Sequence, residues 1–236
     1  MTLKAILFDL DGTLLDYDVM QDLMPPYFKL LTTRAADLVP PHKLVDAINQ
    51  GSAAIARNDG TRTNEEVFAA TFYPLVGIPR AVLEPVLIDF YTHDFPKLKA
   101  YAPARAKSRA TVQAAFDTGC DVVIATNPFF PAIATRERLR WAAVDDFQFN
   151  KVTTYENSRA AKPDLRYYLE ILNDLRCQPE EALMVGDEAW DMAAGALGCR
   201  TFLVPSPATK KDTITCQPTY EGTLETLIAL LQSSAL

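Results

Sequence analysis

The chain has 236 residues, 49% of them hydrophobic and 22% charged, an ordinary globular composition with room for one large domain or a core plus an insert. A net charge of −7 argues against nucleic acid or an acidic membrane surface as the main partner. It leaves an anionic small substrate open, because a bound metal and a few local cations can reverse the field at one site. The apolar run before Asp9 is too short for a signal-peptide core, and no run approaches a membrane span, so a cytoplasmic protein is expected. Cys120, Cys177, Cys199 and Cys216 show neither C-x-x-C nor zinc-like spacing, which predicts reduced, mostly packed thiols. The only histidines, His42 and His93, lie far from any strand-end motif, which disfavours Ser-His-Asp and Cys-His schemes.

The first predicted strand, Leu3–Phe8, runs straight into Asp9-Leu10-Asp11-Gly12-Thr13. A short apolar run of this kind reads as a buried strand of a parallel sheet. Residues i and i+2 on an extended segment point the same way, so Asp9 and Asp11 are expected to face one spot outside the strand's carboxyl end, where open parallel sheets bind ligands. Two like charges so placed call for a cation, a shared proton, or both. For D-x-D-G in isolation, an exposed turn is the competing reading.

From about 17 to 99 no strand is predicted. Helices are expected at Val19–Thr33, Pro41–Arg57, Asn64–Val76 and Pro79–Phe95, with prolines at starts and Gly77 at a stop. In the third, Val67, Phe68, Thr71, Phe72 and Leu75 fall on one face. A helical block inserted after the first strand would sit above the acids as a lid, with Phe95–Pro103 as the return linker and bending expected at Leu15–Asp18 and Lys97–Ala102. Tyr17, Tyr27, Lys29, Arg34, Arg57 and Arg62 are candidate substrate contacts, with plain surface exposure the alternative for most of them. Phe129 and Phe130 either line the mouth or pack under the lid.

From 100 onward, β-rich runs alternate with helical stretches, which implies βαβ units and an α/β parallel sheet. The predicted strands are Asp121–Ala125, Phe147–Val152, Ala182–Val185 and Arg200–Val204. The second ends in Thr126-Asn127-Pro128, where a hydroxyl and fresh N–H groups could form an oxyanion site or simply cap a helix. Lys162-Pro163 follows the third and opens a predicted helix, Pro163–Leu175, with Leu165, Tyr168, Leu169, Leu172 and Leu175 on one side. The fourth ends in Gly186-Asp187, with Asp191 four residues on; helix capping explains these acids cheaply, and oxygen ligation of a hard cation such as Mg²⁺ is the functional reading. Residues 206–220 form a polar loop, and Tyr220–Gln232 is the last predicted helix.

Acids, hydroxyl, lysine and acid thus appear in order at the ends of strands one to four. In this pattern the chain resembles the haloacid dehalogenase-like hydrolase superfamily over essentially its whole length: Asp9–Thr13, Thr126-Asn127, Lys162-Pro163 and Gly186–Asp191 are similar to the family's four motifs. The resemblance implies a Rossmann-like parallel core of strand order 5-4-1-2-3 (residues 1–16 and 100–236) with an all-α cap domain at 17–99. It further implies Asp9 as the nucleophile that forms an aspartyl-phosphate, and Asp11 as general acid and base. Mg²⁺ would be held by Asp9, the backbone carbonyl of Asp11 and Asp187. Thr126, Asn127 and Lys162 would bind the phosphoryl group, and Asp191 would orient Lys162 or metal-bound water. An acid two residues after the nucleophile points to phosphate esters within that family. The expectation is a Mg²⁺-dependent phosphatase of a small phosphorylated metabolite, monomeric or homodimeric. A sugar phosphomutase, or a catalytically silent phospho-ligand binding module, is the alternative.

Overall fold

The computed structural model describes residues 2–233. Its six-stranded sheet is parallel throughout and ordered β3-β2-β1-β4-β5-β6. The strands are β1 (Ala5–Phe8), β2 (Asp121–Ile124), β3 (Lys151–Val152), β4 (Ala182–Gly186), β5 (Arg200–Leu203) and β6 (Tyr220–Glu221). The expected order 5-4-1-2-3 is present, with β6 added outside β5. The central strand β1 is buried on both faces, and alternate side chains go to opposite layers. Ile6 and Phe8 join Val122, Ile124, Leu183 and Val185 on one side; Ala5 and Leu7 join Val123, Ala125 and Met184 on the other. Each fully buried Val, Leu, Ile, Met or Phe side chain among these contributes about 1.5–3 kcal/mol.

Helices α5 (Ser108–Asp117) and α9 (Leu224–Gln232) cover the first face through Val112, Ala115, Leu224 and Leu227. Helix α7 (Leu165–Asp174) covers the second through Tyr167, Tyr168, Ile171 and Leu172. The buried stripe of α7 is therefore rotated from the expected one, and Leu169 is exposed. The helix also starts two residues later than expected, with Asp164 as its N-cap, accepting from Arg166 N–H at 2.9 Å.

Between β1 and β2 the chain forms α1 (Met24–Arg34), α2 (Pro41–Ala56), α3 (Asn64–Val76) and α4 (Arg80–His93), followed by a 3₁₀ segment, Phe95–Tyr101. The expected first helix is split. Pro25 and Pro26 have no N–H to give the preceding turn, so Val19–Leu23 winds as a π-helical turn closed from Met24 N–H to the Val19 carbonyl. Helix α3 is capped by a Thr63–Glu66 capping box and stopped by Gly77 at φ 71°. Its buried residues include Val67, Phe72 and Val76, whereas Leu75 points outward. This helical block meets the rest of the molecule through aromatic packing. Tyr27 and Phe95 close on Phe130 at 5.8 and 6.3 Å, and Phe95 stacks on Trp141 at 5.1 Å. Asn64, fully buried at the start of α3, donates to the Ala160 carbonyl at 3.0 Å.

Two sheet-edge expectations are corrected. β3 is confined to Lys151–Val152, because Phe147 and Phe149 pack their rings on Phe116 at 5.3 and 5.7 Å instead of joining the ladder, and Asn150 caps the edge by accepting from Val122 N–H. The last helix begins at Leu224, because Tyr220 is drawn into the sheet. Thr201 and Thr219 exchange side chain–backbone hydrogen bonds of 3.1 Å in both directions, and Gly222 N–H bonds to the Leu203 carbonyl. All four cysteines are free; Cys177 and Cys199 are buried, and burial pushes their thiols up to about 11 and about 12. Among the described residues no single helix is long and apolar enough to cross a membrane.

Candidate active site

The register of the sheet sets the site. Phe8 lies opposite Ile124 on one side and Val185 on the other, so Asp9, Ala125 and Gly186 begin at one level at the carboxyl ends of three neighbouring strands. Asp9 is fixed there by its own N–H, bonded to the Val185 carbonyl at 2.8 Å. The Lys162 ammonium donates to Asp9 Oδ1 at 2.8 Å and to Asp191 Oδ1 at 2.5 Å; its side chain is fully buried. Burial alone would lower the Lys162 pKa, but Asp191 and Asp9 outweigh it and hold the value well above the ordinary lysine range. Asp9 is raised above the usual carboxylate range by burial, against the pull of Lys162, and Asp191, Asp187 and Asp11 push the same way.

Asp187 follows β4 and is also buried. Its carboxylate accepts from Thr13 Oγ1 at 3.3 Å and Ser206 Oγ at 2.5 Å, and its carbonyl accepts from Thr209 Oγ1 at 2.6 Å. Burial and then the Asp191 charge raise its carboxyl to about 7, and Glu188 beside it is likewise raised to about 7 by burial and Asp187. Asp191 lies in α8 (Ala189–Met192), where its Oδ2 accepts from Glu188 N–H at 3.1 Å in a capping box. Two glycines make this crowding possible. Gly12, at φ +78°, and Gly186 would each drive a Cβ into a carboxylate, of Asp187 and Asp191 respectively.

Carboxylate oxygens of Asp9, Asp187 and Asp191 lie within 4.8 Å of one another. An all-oxygen, buried donor set with surplus negative charge fits a hard divalent cation. The Asp11 carboxylate is engaged elsewhere: Oδ1 accepts from Tyr17 Oη at 2.5 Å, and Oδ2 forms an ion pair with Arg138. The two acids that alternation places on one spot therefore serve different neighbourhoods.

The remaining expected residues divide. Thr126 is buried, and its carbonyl is held by Thr153 Oγ1 at 2.6 Å and Tyr167 Oη at 2.9 Å. The Asn127 side chain accepts from Lys162 N–H at 3.1 Å, which makes it a support for the lysine loop. Tyr17 reaches the site through Asp11. Tyr27 is buried with its hydroxyl on Tyr91 at 2.9 Å. Arg34 is tied up by Asp89 and Asp94, and Lys29, Arg57 and Arg62 are exposed. Phe130 packs under the helical block and carries the Arg138 guanidinium 4.7 Å above its ring.

Arg138, Ser206 and Thr209 are site residues that motif reading misses, and Thr13, inside the first motif, gains a role there as a donor to Asp187. Arg138 has a detectable signal: in α6 (Ala132–Trp141) it stands three after Thr135 and three before Trp141, on the stripe that is buried.

Among curated proteins none matches this sequence significantly. Solved structures do match the fold. A HAD phosphatase from Thermococcus onnurineus is 20% identical with a TM-score of 0.61, covering 97% of this chain and 98% of its own. A candidate beta-phosphoglucomutase from Thermotoga maritima is 19% identical with a TM-score of 0.60, covering 99% and 100%. A dehalogenase is 18% identical with a TM-score of 0.58, covering 97% and 96%. Identities this low establish a shared fold alone. The sequence itself matches the haloacid dehalogenase-like hydrolase family over residues 3–198, and the chain belongs to that family of hydrolases.

Proposed function

We propose that the protein is a Mg²⁺-dependent phosphatase that hydrolyses a small phosphorylated metabolite through an aspartyl-phosphate on Asp9. The observation that carries this reading is the buried network in which Lys162 holds Asp9 and Asp191 at once, next to Asp187. A nucleophilic carboxylate needs a fixed direction and a nearby cation to approach a phosphate anion, and Lys162 supplies both. Asp9 Oδ2, not bonded to the lysine, is the oxygen free to attack phosphorus.

In this reading Asp11 protonates the leaving oxygen and then takes a proton from the water that opens the aspartyl-phosphate. Thr126 and Lys162 bind phosphoryl oxygens; Asn127 acts through Lys162. Asp9, Asp187 and the Asp11 carbonyl would hold Mg²⁺, which neutralises phosphoryl charge when bound. Asp191 serves by holding Lys162. The helical stretch at 17–99 acts as a cap that closes over the site and excludes water, in a cytoplasmic protein whose partner is its substrate.

Purified protein with Mg²⁺ should release phosphate from p-nitrophenyl phosphate or from at least one member of a phosphometabolite panel. Asp9→Asn should abolish release while leaving the circular dichroism spectrum intact. Silence across the panel, or substantial turnover by Asp9→Asn, refutes the reading. Following isomerised product beside free phosphate separates a phosphomutase from a phosphatase.

A further inference from the structure

The Arg138 side chain is 1% exposed, yet it carries a full positive charge inside the molecule. A buried cation requires an anion beside it, and removing that anion is strongly unfavourable. In the arrangement seen, the anion is Asp11, whose second oxygen is taken by Tyr17. Both carboxylate oxygens are thus committed, and Asp11 so held cannot serve a leaving group. For Asp11 to act, something else must take its place on Arg138.

We propose that Arg138 is the seat for a carboxylate on the leaving portion of the substrate, with Asp11 as the carboxylate that yields it. This inference rests on the phosphatase reading and narrows it to phosphorylated carboxylic acids. The fork is already oriented: Nη2 donates to Thr135 Oγ1 at 3.1 Å, and Phe130 supports the guanidinium face at 4.7 Å. Arg138 Nε is buried and has no hydrogen-bond partner among the described residues, so the fork has a donor that Asp11 leaves unused. Charge matching decides between anions: Arg138 is paired with a single carboxylate, Asp11, so another monoanionic carboxylate can replace it with no change in local charge, whereas a second phosphate dianion would add one. Swapping one carboxylate for another keeps Arg138 paired and frees Asp11 in the same event.

The test uses two non-hydrolysable ligands of matched shape, phosphonoacetate and phosphonoacetamide, titrated calorimetrically into the wild-type protein with Mg²⁺. The carboxylate should bind at least about tenfold more tightly, as a charge-assisted arginine hydrogen bond implies. Arg138→Gln should bring the ratio to within about twofold, and Arg138→Lys, which keeps charge but not the fork, should give an intermediate ratio. Equal affinities in the wild type overturn the inference without any variant. So does a loss in Arg138→Gln that is the same for both ligands, which marks a structural arginine, and so does a failure of phosphonoacetate to bind. Hydrolysis of p-nitrophenyl phosphate without a carboxylate preference overturns this inference and leaves the phosphatase reading standing. A carboxylate preference without hydrolysis of any phosphate supports the anion seat and refutes the hydrolytic reading.

Discussion

Replacing Lys162 with methionine tests the centre of the site through stability alone. The substitution keeps the length of the side chain and removes the one cation shared by Asp9 and Asp191, whose carboxylates are 7% and 0% exposed. Breaking a buried ion pair by deleting one partner costs about 3–5 kcal/mol, because the remaining charge is left unpaired. For a chain of this size each kcal/mol moves the melting temperature by about 2–4 °C, so the metal-free variant should melt roughly 6–20 °C lower at pH 7. Part of the loss should be recovered at pH 5, where the stranded carboxylates take up protons. Asp191→Asn supplies the control, since it removes a charge but keeps an acceptor for Glu188 N–H. In that background Lys162→Met should cost roughly 1–2 kcal/mol less, a coupling readily resolved by urea denaturation. If the two substitutions add within about 0.5 kcal/mol, the network is not coupled as described. A loss below about 1 kcal/mol for Lys162→Met alone refutes the argument as well.

Asp187 and Glu188, both raised to about 7, bind protons in the folded state that the unfolded chain has already released. Their stabilisation is complete below the unfolded values near 4 and is lost as pH rises through about 7. The metal-free melting temperature should therefore fall from pH 5 to pH 8, and the increment produced by Mg²⁺ should grow over the same range; a flat profile in both refutes the assignment. Glu188 is only half-buried, so most of this effect belongs to Asp187. Gly12→Ala places a side chain at φ +78° and into the Asp187 carboxylate, and should cost roughly 1–3 kcal/mol together with a weaker response to Mg²⁺ in thermal melts. Ser206→Ala removes a 2.5 Å hydrogen bond to Asp187 and should lower Mg²⁺ affinity about 10–100-fold by calorimetry, with little change in fold; unchanged affinity would show that the loop does not support the metal site.

What could be read from the sequence follows from how each feature encodes itself. β1, β2 and β4 are buried on both faces and so leave uninterrupted apolar runs, whose ends mark Asp9, Thr126 and Asp187. The sheet edges leave no such mark. Phe147-Gln148-Phe149 alternates like a strand, but its rings belong to a cluster with Phe116; β6 is two residues long and owes its place to the Thr201–Thr219 pairing. Helix faces shift for a related reason. Leu75 and Leu169 fit an apolar stripe by spacing, yet the burial of Val76 and of Tyr167 turns the helices enough to expose them. Arg138 is hidden among Arg136 and Arg140 as an apparent surface arginine. Only its place on the stripe of α6 shared with Thr135 and Trp141 distinguishes it; its burial comes from Asp11, far away in the chain, and from the Phe130 ring.

The pairing of charges also shapes the pH dependence of Asp187. Lys162 serves Asp9 and Asp191, and Arg138 serves Asp11. Asp187 is held instead by the hydroxyls of Thr13 and Ser206. A hydroxyl donates to a carboxylate but brings no net charge, so it lowers the cost of ionisation without cancelling it. Burial and the Asp191 charge therefore prevail there, and the carboxyl rises to about 7. A cation entering the cluster is favoured beside Asp187, which has no ion-pair partner among the described residues, and it displaces the proton that acid retains. Mg²⁺ binding should accordingly release protons in the neutral range. Calorimetry in buffers of different ionisation enthalpy reads that release directly, and its reduction in Asp187→Asn would locate part of the exchange at Asp187, with Asp9, also raised by burial, contributing in the same direction.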